Sequence, residues 1–330
     1  MPPSTSIRWK DGLKVLLALV LIGVVFSRTS LGQIMGAIRG MSWSWLVISF
    51  LLFCLTTAFK GVQYWALLGY KTPYSQIIKI VVFQNALSNL VANSAGVASY
   101  FTMFRMDQNV NLKRSGLVFI ITKIGDLVSV TIFLSISSAL IWGRIEILHQ
   151  MTLVLLTCMI AGWIVLMAII PFRMKFVLLG VRIFHWLRLD RFKFVESGLG
   201  LIQMLAEQDW KVYARTFLLA IFLSLGYMAA TAVYFFSRTQ VFHIPIDFWA
   251  SVYIVSLFQL VSMIPIQVFG GLGVSEFANM YFYTLLGIVN IDIPAALIGG
   301  RVLSYLFYLV SLLYVPVDML IARFGSLHDN

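Results

Sequence analysis

FQLVSMIPIQVFGGLGVSEFANMYFYTLLGIVNIDIPAALIGGR, running from Phe258 to Arg301, is the stretch whose reading decides the fold. Two apolar arms flank Pro265 and the glycines Gly270, Gly271 and Gly273, and an acid, Glu276, follows at once. Proline removes a backbone donor, and glycine admits backbone shapes that other residues refuse. Inside a bilayer such breaks are tolerated only where the freed groups face protein or a water-filled cavity. Broken apolar segments beside a buried charge are how many transporters build their sites. The stretch therefore reads as a transport-type site within an all-α polytopic membrane protein.

Composition agrees with this. The 330 residues are 60% hydrophobic and 11% charged, and several apolar runs approach the ~20 residues that cross a membrane. The net charge of +11 lies between the apolar runs, which favours an anionic membrane surface over nucleic acid as the partner. Cys54 and Cys158 sit within apolar segments and the four histidines are scattered, so neither a disulfide nor a metal site is indicated, and no cofactor is expected. Arg8-Trp9-Lys10 followed by Leu13 to Phe26 has the charge and length of a signal peptide. It lacks an Ala-x-Ala-like exit, because Val25-Phe26-Ser27-Arg28 puts bulk and charge there. We read it as a retained first helix, completed by snorkelling Lys10 and Lys14.

Residues 1–330 then form a single integral membrane domain of about six full spans and two broken or re-entrant hairpins. The spans are Leu13 to Phe26, Trp43 to Phe59, Gly116 to Trp142, Met151 to Pro171, Val212 to Phe236 and Pro294 to Ala322. Trp43, Trp45, Tyr64 and Trp65 read as interfacial anchors of the second. The first hairpin, 77–104, breaks at Asn93 to Gly96, and its return arm from Val97 to Phe104 is short. At 1.5 Å per residue it covers only about 12 Å of a roughly 30 Å core. The second hairpin, 248–291, turns at the glycine cluster. A basic, cytoplasmic interfacial connector, 172–211, separates the first half (1–171) from the second (212–330).

The positive-inside rule tests this layout. With returning hairpins and cytoplasmic termini, most of the 24 Lys and Arg residues face inward, Lys60 among them. Arg28, Arg39, Arg144 and Arg238 remain outside, and Lys123 and Arg301 lie in the membrane. Letting the first hairpin cross would turn the basic segments at 105–114 and 172–215 outward. Three spans separate the hairpins, so the two enter from opposite faces. Phe83-Gln84 matches Phe258-Gln259, Gly96-Val97 matches Gly273-Val274, and Lys123 matches Arg301. These matches suit an inverted repeat with a midplane site, or chance in a Phe- and Gly-rich chain.

Charges at membrane depth are the candidate functional groups. Lys123 and Asp126 are three residues apart on one helix face, where they can neutralise each other. Glu276 and Arg301 have no sequence-local partner, and a lone buried ion costs about 3 kcal/mol even on lenient scales. They must pair, face water or meet a ligand. An ion pair of the two is one reading; a lipid phosphate taking the guanidinium bidentately is the other. Backbone amides from Gly270 to Val274 make a candidate anion nest. No paired-carboxylate, His-Glu or nucleophile-elbow motif supports enzyme chemistry.

The order Pro265-Ile266, Gly270-Gly271-Leu272-Gly273-Val274, Glu276, Gly287, Ala295 or Ala296, and Arg301 resembles the second motif of the lysylphosphatidylglycerol synthase transmembrane (flippase-like) family. The resemblance runs from about the second apolar segment to the end, with no fused synthase domain. A weaker first motif lies between Asn85 and Asp126. There Asn93-Ser94-Ala95-Gly96-Val97 stands where a proline, glycines and often an acid are usual. The resemblance implies a lipid translocase moving an anionic or modified lipid, or a lipid-linked precursor, between leaflets of a bacterial inner or archaeal plasma membrane. The alternatives are a membrane partner of an envelope polysaccharide or lipid-modifying enzyme, and a lipid-carrier-dependent transferase. The expected partners are anionic or polyprenyl-linked lipids and envelope-biosynthesis enzymes. The candidate substrate-binding set is Pro265, Gly270, Gly271, Gly273, Glu276 and Arg301, with Asn89, Asn93, Gly96, Lys123 and Asp126 from the first half.

Overall fold

The computed structural model describes residues 30–70, 72–108, 112–169, 210–262, 271, 273–288 and 293–314. The retained first helix, the connector at 172–209, Pro265 and Gly270 lie outside the described residues. The described residues form ten α-helices and two short 3-10 turns, without strands. In chain order they are α1 (Leu31–Arg39), α2 (Trp43–Leu67), α3 (Tyr74–Leu90), α4 (Asn93–Gln108) and α5 (Leu112–Leu140). Then come α6 (His149–Ile169), α7 (Trp210–Val241), α8 (Phe248–Ser262), α9 (Val274–Leu285) and α10 (Ile293–Leu312).

Four segments are long and apolar enough to cross a membrane: Trp43–Leu67, Arg114–Leu140, Ala214–Val241 and Ile293–Leu312. They correspond to four of the expected spans. α6 is apolar too, with a shorter apolar stretch at His149–Ile164. The helices are patterned for lipid rather than water. α2 exposes Val47, Leu51 and Leu55 while burying Ser49, Thr56, Thr57, Lys60 and Gln63. With hydrocarbon outside, polar groups gain only by turning inward, where partners exist.

α7 is the central post, packed against α2, α5 and α8. It runs antiparallel to α2: the Ser42 N–H donates to the Val241 carbonyl (2.9 Å) at one end. Further along, Gln63 Nε2 donates to Ser224 Oγ (2.5 Å). It runs parallel to α5, whose Gly125 lies against Ala220 and Ser224 and whose Val130 packs with Met228. α10 is again antiparallel to α7. Its Gly300 lies beside Arg238, while Tyr308 meets Phe53, which also meets Tyr234.

The two hairpins start at opposite ends of this frame. α3 packs on α4, beginning where Tyr74 Oη donates to the Ala58 carbonyl (2.9 Å) in the C-terminal half of α2. α8 packs on α9, beginning where α7 finishes, with the Phe236 and Phe248 rings 5.5 Å apart. Since α2 and α7 point opposite ways, the hairpins that follow them sit at opposite ends. At the α8 start, Asp247 accepts from the Ala250 N–H (3.0 Å) and pairs with Arg144.

Several expectations are corrected. The first hairpin turns at Val91–Ala92, and Asn93 to Gly96 form the first turn of α4. α4 is 16 residues long, about 24 Å, so the return arm is twice what was expected. α2 continues past Phe59 to Leu67, which buries Tyr64 (1% exposed) in the core instead of leaving it as an interfacial anchor. α1 was unforeseen, although its Ser30 and Gln33 form a reciprocal capping box of the Ser-x-x-Gln kind that sequence can show.

Candidate functional site

The helices enclose a cavity of about 620 Å³, lined by α2, α3, α4, α5, α7, α8, α9 and α10. Two charged groups face each other along it. At one end Lys60 of α2 donates to Asp126 Oδ2 of α5 (2.6 Å). Ser224 of α7 donates to Asp126 Oδ1 (3.0 Å) and itself accepts from Gln63. The Lys60 ammonium also stands 4.5 Å from the centre of the Tyr227 ring, a cation–π contact. The expected Lys123–Asp126 pair is thus corrected: Asp126 takes its partners from α2 and α7. Lys123, exposed to the cavity, has its ammonium 5.6 Å from the Phe119 ring centre. A residue three positions along a helix is a neighbour, but Lys60, reaching across from α2, holds the carboxylate at 2.6 Å.

At the other end Glu276 Oε1 lies 3.4 Å from Arg301 Nε, with Glu276 buried and Arg301 partly so. An ion pair across the second hairpin and the last span was one of the two sequence readings, and the structure brings the two residues together. Glu276 has further duties. Its Oε2 accepts from the Gly273 N–H (2.7 Å), and its Oε1 accepts from Ser275 Oγ (2.9 Å). The carboxylate therefore closes the N-terminus of α9, as an acid in a first turn does. Gly271 and Gly273 hold φ of +81° and +85°, the left-handed region where glycine carries no side-chain penalty. The nest expected there is corrected in part: the Gly273 amide is already spent on Glu276 and does not await a ligand.

Sequence reasoning missed two cations. Lys60 was counted as a cytoplasmic loop charge, and it is 7% exposed on the cavity wall. Arg238 was counted as an outside charge; it lies in the last turn of α7, lines the cavity, and stands 5.8 Å from the Tyr234 ring centre. Their Lys and Arg identity near a helix end mimics snorkelling. The only available signal was that each lies within helix-length reach of a polar run.

The first-half candidates divide. Asn89 and Asn93 line the cavity together with Gln84, Asn85 and Ser88. Gly96 does not line it. It is where α4 crosses α3, since a Cβ there would strike Ser88 Oγ and come within 2.6 Å of the Gln84 carbonyl. On the second side Gln259, Ser262, Ser275 and Asn279 line the wall. The Phe83-Gln84 and Phe258-Gln259 match thus puts one glutamine from each hairpin on the same cavity.

Between the ends runs an aromatic band. Phe53 contacts Tyr234 (6.0 Å between centres) and Tyr308 (5.1 Å), and all three line the cavity. Among the described lining residues, Lys60, Lys123, Arg238 and Arg301 face only Asp126 and Glu276 as acids. Each end holds one ion pair and one further cation. The arrangement can neutralise an anion, in a space with polar walls inside a lipid-facing shell.

A family model described as Lysylphosphatidylglycerol synthase TM region matches residues 13–311. No curated protein matches the chain.

Proposed function

We propose that this chain, which belongs to the lysylphosphatidylglycerol synthase transmembrane family, moves an anionic lipid between leaflets as a translocase. The family and the apolar helices make it a multi-pass membrane protein tied to lipid handling. The finer reading rests on one observation, the excess of cations over acids on the wall of the cavity. Burying charge of one sign is costly unless a counter-charge arrives, and a phosphate headgroup brings one. The acyl or prenyl tails stay in lipid while the headgroup follows the polar wall. We place the protein in a bacterial inner or archaeal plasma membrane with both termini cytoplasmic, because that layout puts most basic residues inside.

The test is headgroup accessibility in proteoliposomes of phosphatidylcholine doped with phosphatidylglycerol, read by an impermeant reagent that attacks the glycerol headgroup. With the protein, the fraction attacked rises from the outer-leaflet share towards completion. An equal fraction in protein-free vesicles overturns the translocase reading.

A further inference from the structure

We infer that Asp126 is a proton-binding site, and that an anion reaching Lys60 is moved together with one proton. The inference rests on the translocase reading above and adds the ion that drives it.

In the pair as it stands, Lys60 Nζ donates to Asp126 Oδ2 (2.6 Å). The other carboxylate oxygen ends a hydrogen-bond chain. Gln63 Nε2 donates to Ser224 Oγ (2.5 Å), and Ser224 Oγ donates to Asp126 Oδ1 (3.0 Å). Gln63 is fully buried, and its Oε1 has no hydrogen-bond partner among the described residues. A half-turn of the amide exchanges Nε2 for Oε1, and the serine hydroxyl both donates and accepts. The chain then runs in reverse: an acid at Asp126 donates to Ser224, and Ser224 donates to Gln63 Oε1. The chain keeps the same number of bonds in either sense, so no buried group in it is stranded by protonation. The same three side chains therefore accommodate the carboxylate and the acid. A purely structural ion pair needs no such reversible chain.

Lys60 decides which form is present. Lys60, Asp126 and Ser224 all line the cavity, so an anion there competes with Asp126 for the ammonium. The Tyr227 and Tyr64 rings stand 4.5 and 5.7 Å from that ammonium. They hold it by cation–π attraction whichever oxygen it also meets. Deprived of Lys60, a buried carboxylate must find another counter-charge or take a proton. Among the described residues, the other titratable groups acting on the pair are Tyr64 on α2, Lys123 on α5 and Tyr227 on α7. Tyr100 of α4 stands behind Tyr64, with the rings 5.0 Å apart. Lys123 faces the same cavity and meets the same anion. The proton comes from cavity water and forms one O–H bond at Asp126. It returns to water when the anion leaves and Lys60 regains the carboxylate. One singly charged phosphodiester and one proton then move without net charge, which spares the cost of carrying an ion across hydrocarbon.

The test uses the full chain in detergent and infrared difference spectra, lipid-bound minus lipid-free. The probe is a short-chain, ether-linked phosphatidylglycerol, which has no carbonyl of its own. Wild type should gain the carbonyl band of a protonated carboxyl, and an unbuffered solution should lose about one proton per chain. Asp126→Glu should keep the band at a shifted frequency, which assigns it and shows that the variant folds. Gln63→Met, which removes the acceptor at the end of the chain, should shift the band and cut proton uptake by more than half. Absence of the band in wild type, as when Lys123 takes over the carboxylate, overturns the proton site. An unaltered band and uptake in Gln63→Met overturn the hydrogen-bond chain. Coupling is read in the phosphatidylglycerol proteoliposomes with the lumen made more acid than the outside. One proton per lipid ties the two ratios together, so each pH unit should raise the outer-to-inner lipid ratio about tenfold, as a brief pulse of the impermeant reagent reads it. An unchanged ratio overturns the coupling. Lipid movement without the carboxyl band sinks this inference and leaves the translocase reading standing; the band without lipid movement does the reverse.

Discussion

Lys60 on α2 and Asp126 on α5 are joined across 2.6 Å in the interior of the bundle, 66 positions apart in the chain. They tie the second-span wall of the cavity to the third, and Ser224 of α7 joins the same carboxylate. One buried carboxylate therefore fastens three helices.

Asp126→Asn should leave Lys60 buried without its counter-charge. Breaking one side of such a pair costs about 3 kcal/mol or more. The folded fraction in detergent should drop, and thermal unfolding should shift down. Lys60→Met with Asp126→Leu, which removes both charges, should be less destabilising than either single change. A double variant as unstable as the sum of the singles would show that the two residues do not couple.

Glu276→Gln should weaken α9, because the carboxylate both accepts from Gly273 and faces Arg301. A lost N-terminal cap costs about 1 kcal/mol, and the loss of charge beside Arg301 adds to this. Exchange of the charges, Glu276→Arg with Arg301→Glu, should fail to restore folded yield, since arginine has no acceptor for the Gly273 N–H. Full recovery by exchange would mean that the ion pair alone matters. Yield can be followed by size-exclusion chromatography.

Gly96→Ala and Gly273→Val should fail for different reasons. The added methyl at position 96 meets the Gln84 backbone at 2.6 Å, and overpacking of that kind costs about 1–3 kcal/mol. Lipid movement per folded molecule should survive it. At Gly273, φ of +85° admits valine poorly, and the turn beside the cavity must change. We expect movement per folded molecule to fall at least tenfold. Equal specific activity in wild type and Gly273→Val would separate the glycine turn from the path.

Sidedness can be read with single cysteines in a background where Cys54 and Cys158 are replaced. Arg105 and His243 are exposed, the first in the last turn of α4 and the second just beyond α7. In intact cells an impermeant thiol reagent should label His243→Cys and leave Arg105→Cys untouched. The reverse pattern would invert the proposed orientation.

Much of this protein was legible in sequence because lipid imposes simple demands. Four of the expected spans recur as long apolar helices, since an apolar run of that length satisfies its backbone hydrogen bonds in hydrocarbon by closing them within a helix. The glycine turn and the meeting of Glu276 with Arg301 were legible too, because two buried ions of opposite sign need one another. The chain alone did not decide which way each helix faces about its own axis. An apolar helix in lipid has no watery face to mark it, so the rotation that points Lys60 at Asp126 and Arg238 into the cavity is fixed only by neighbours. The tertiary structure also decided that Lys123 loses Asp126 to a cation from another helix. It set Gly96 as a crossing point rather than a wall residue, because close approach of two backbones is a property of the pair and not of either sequence.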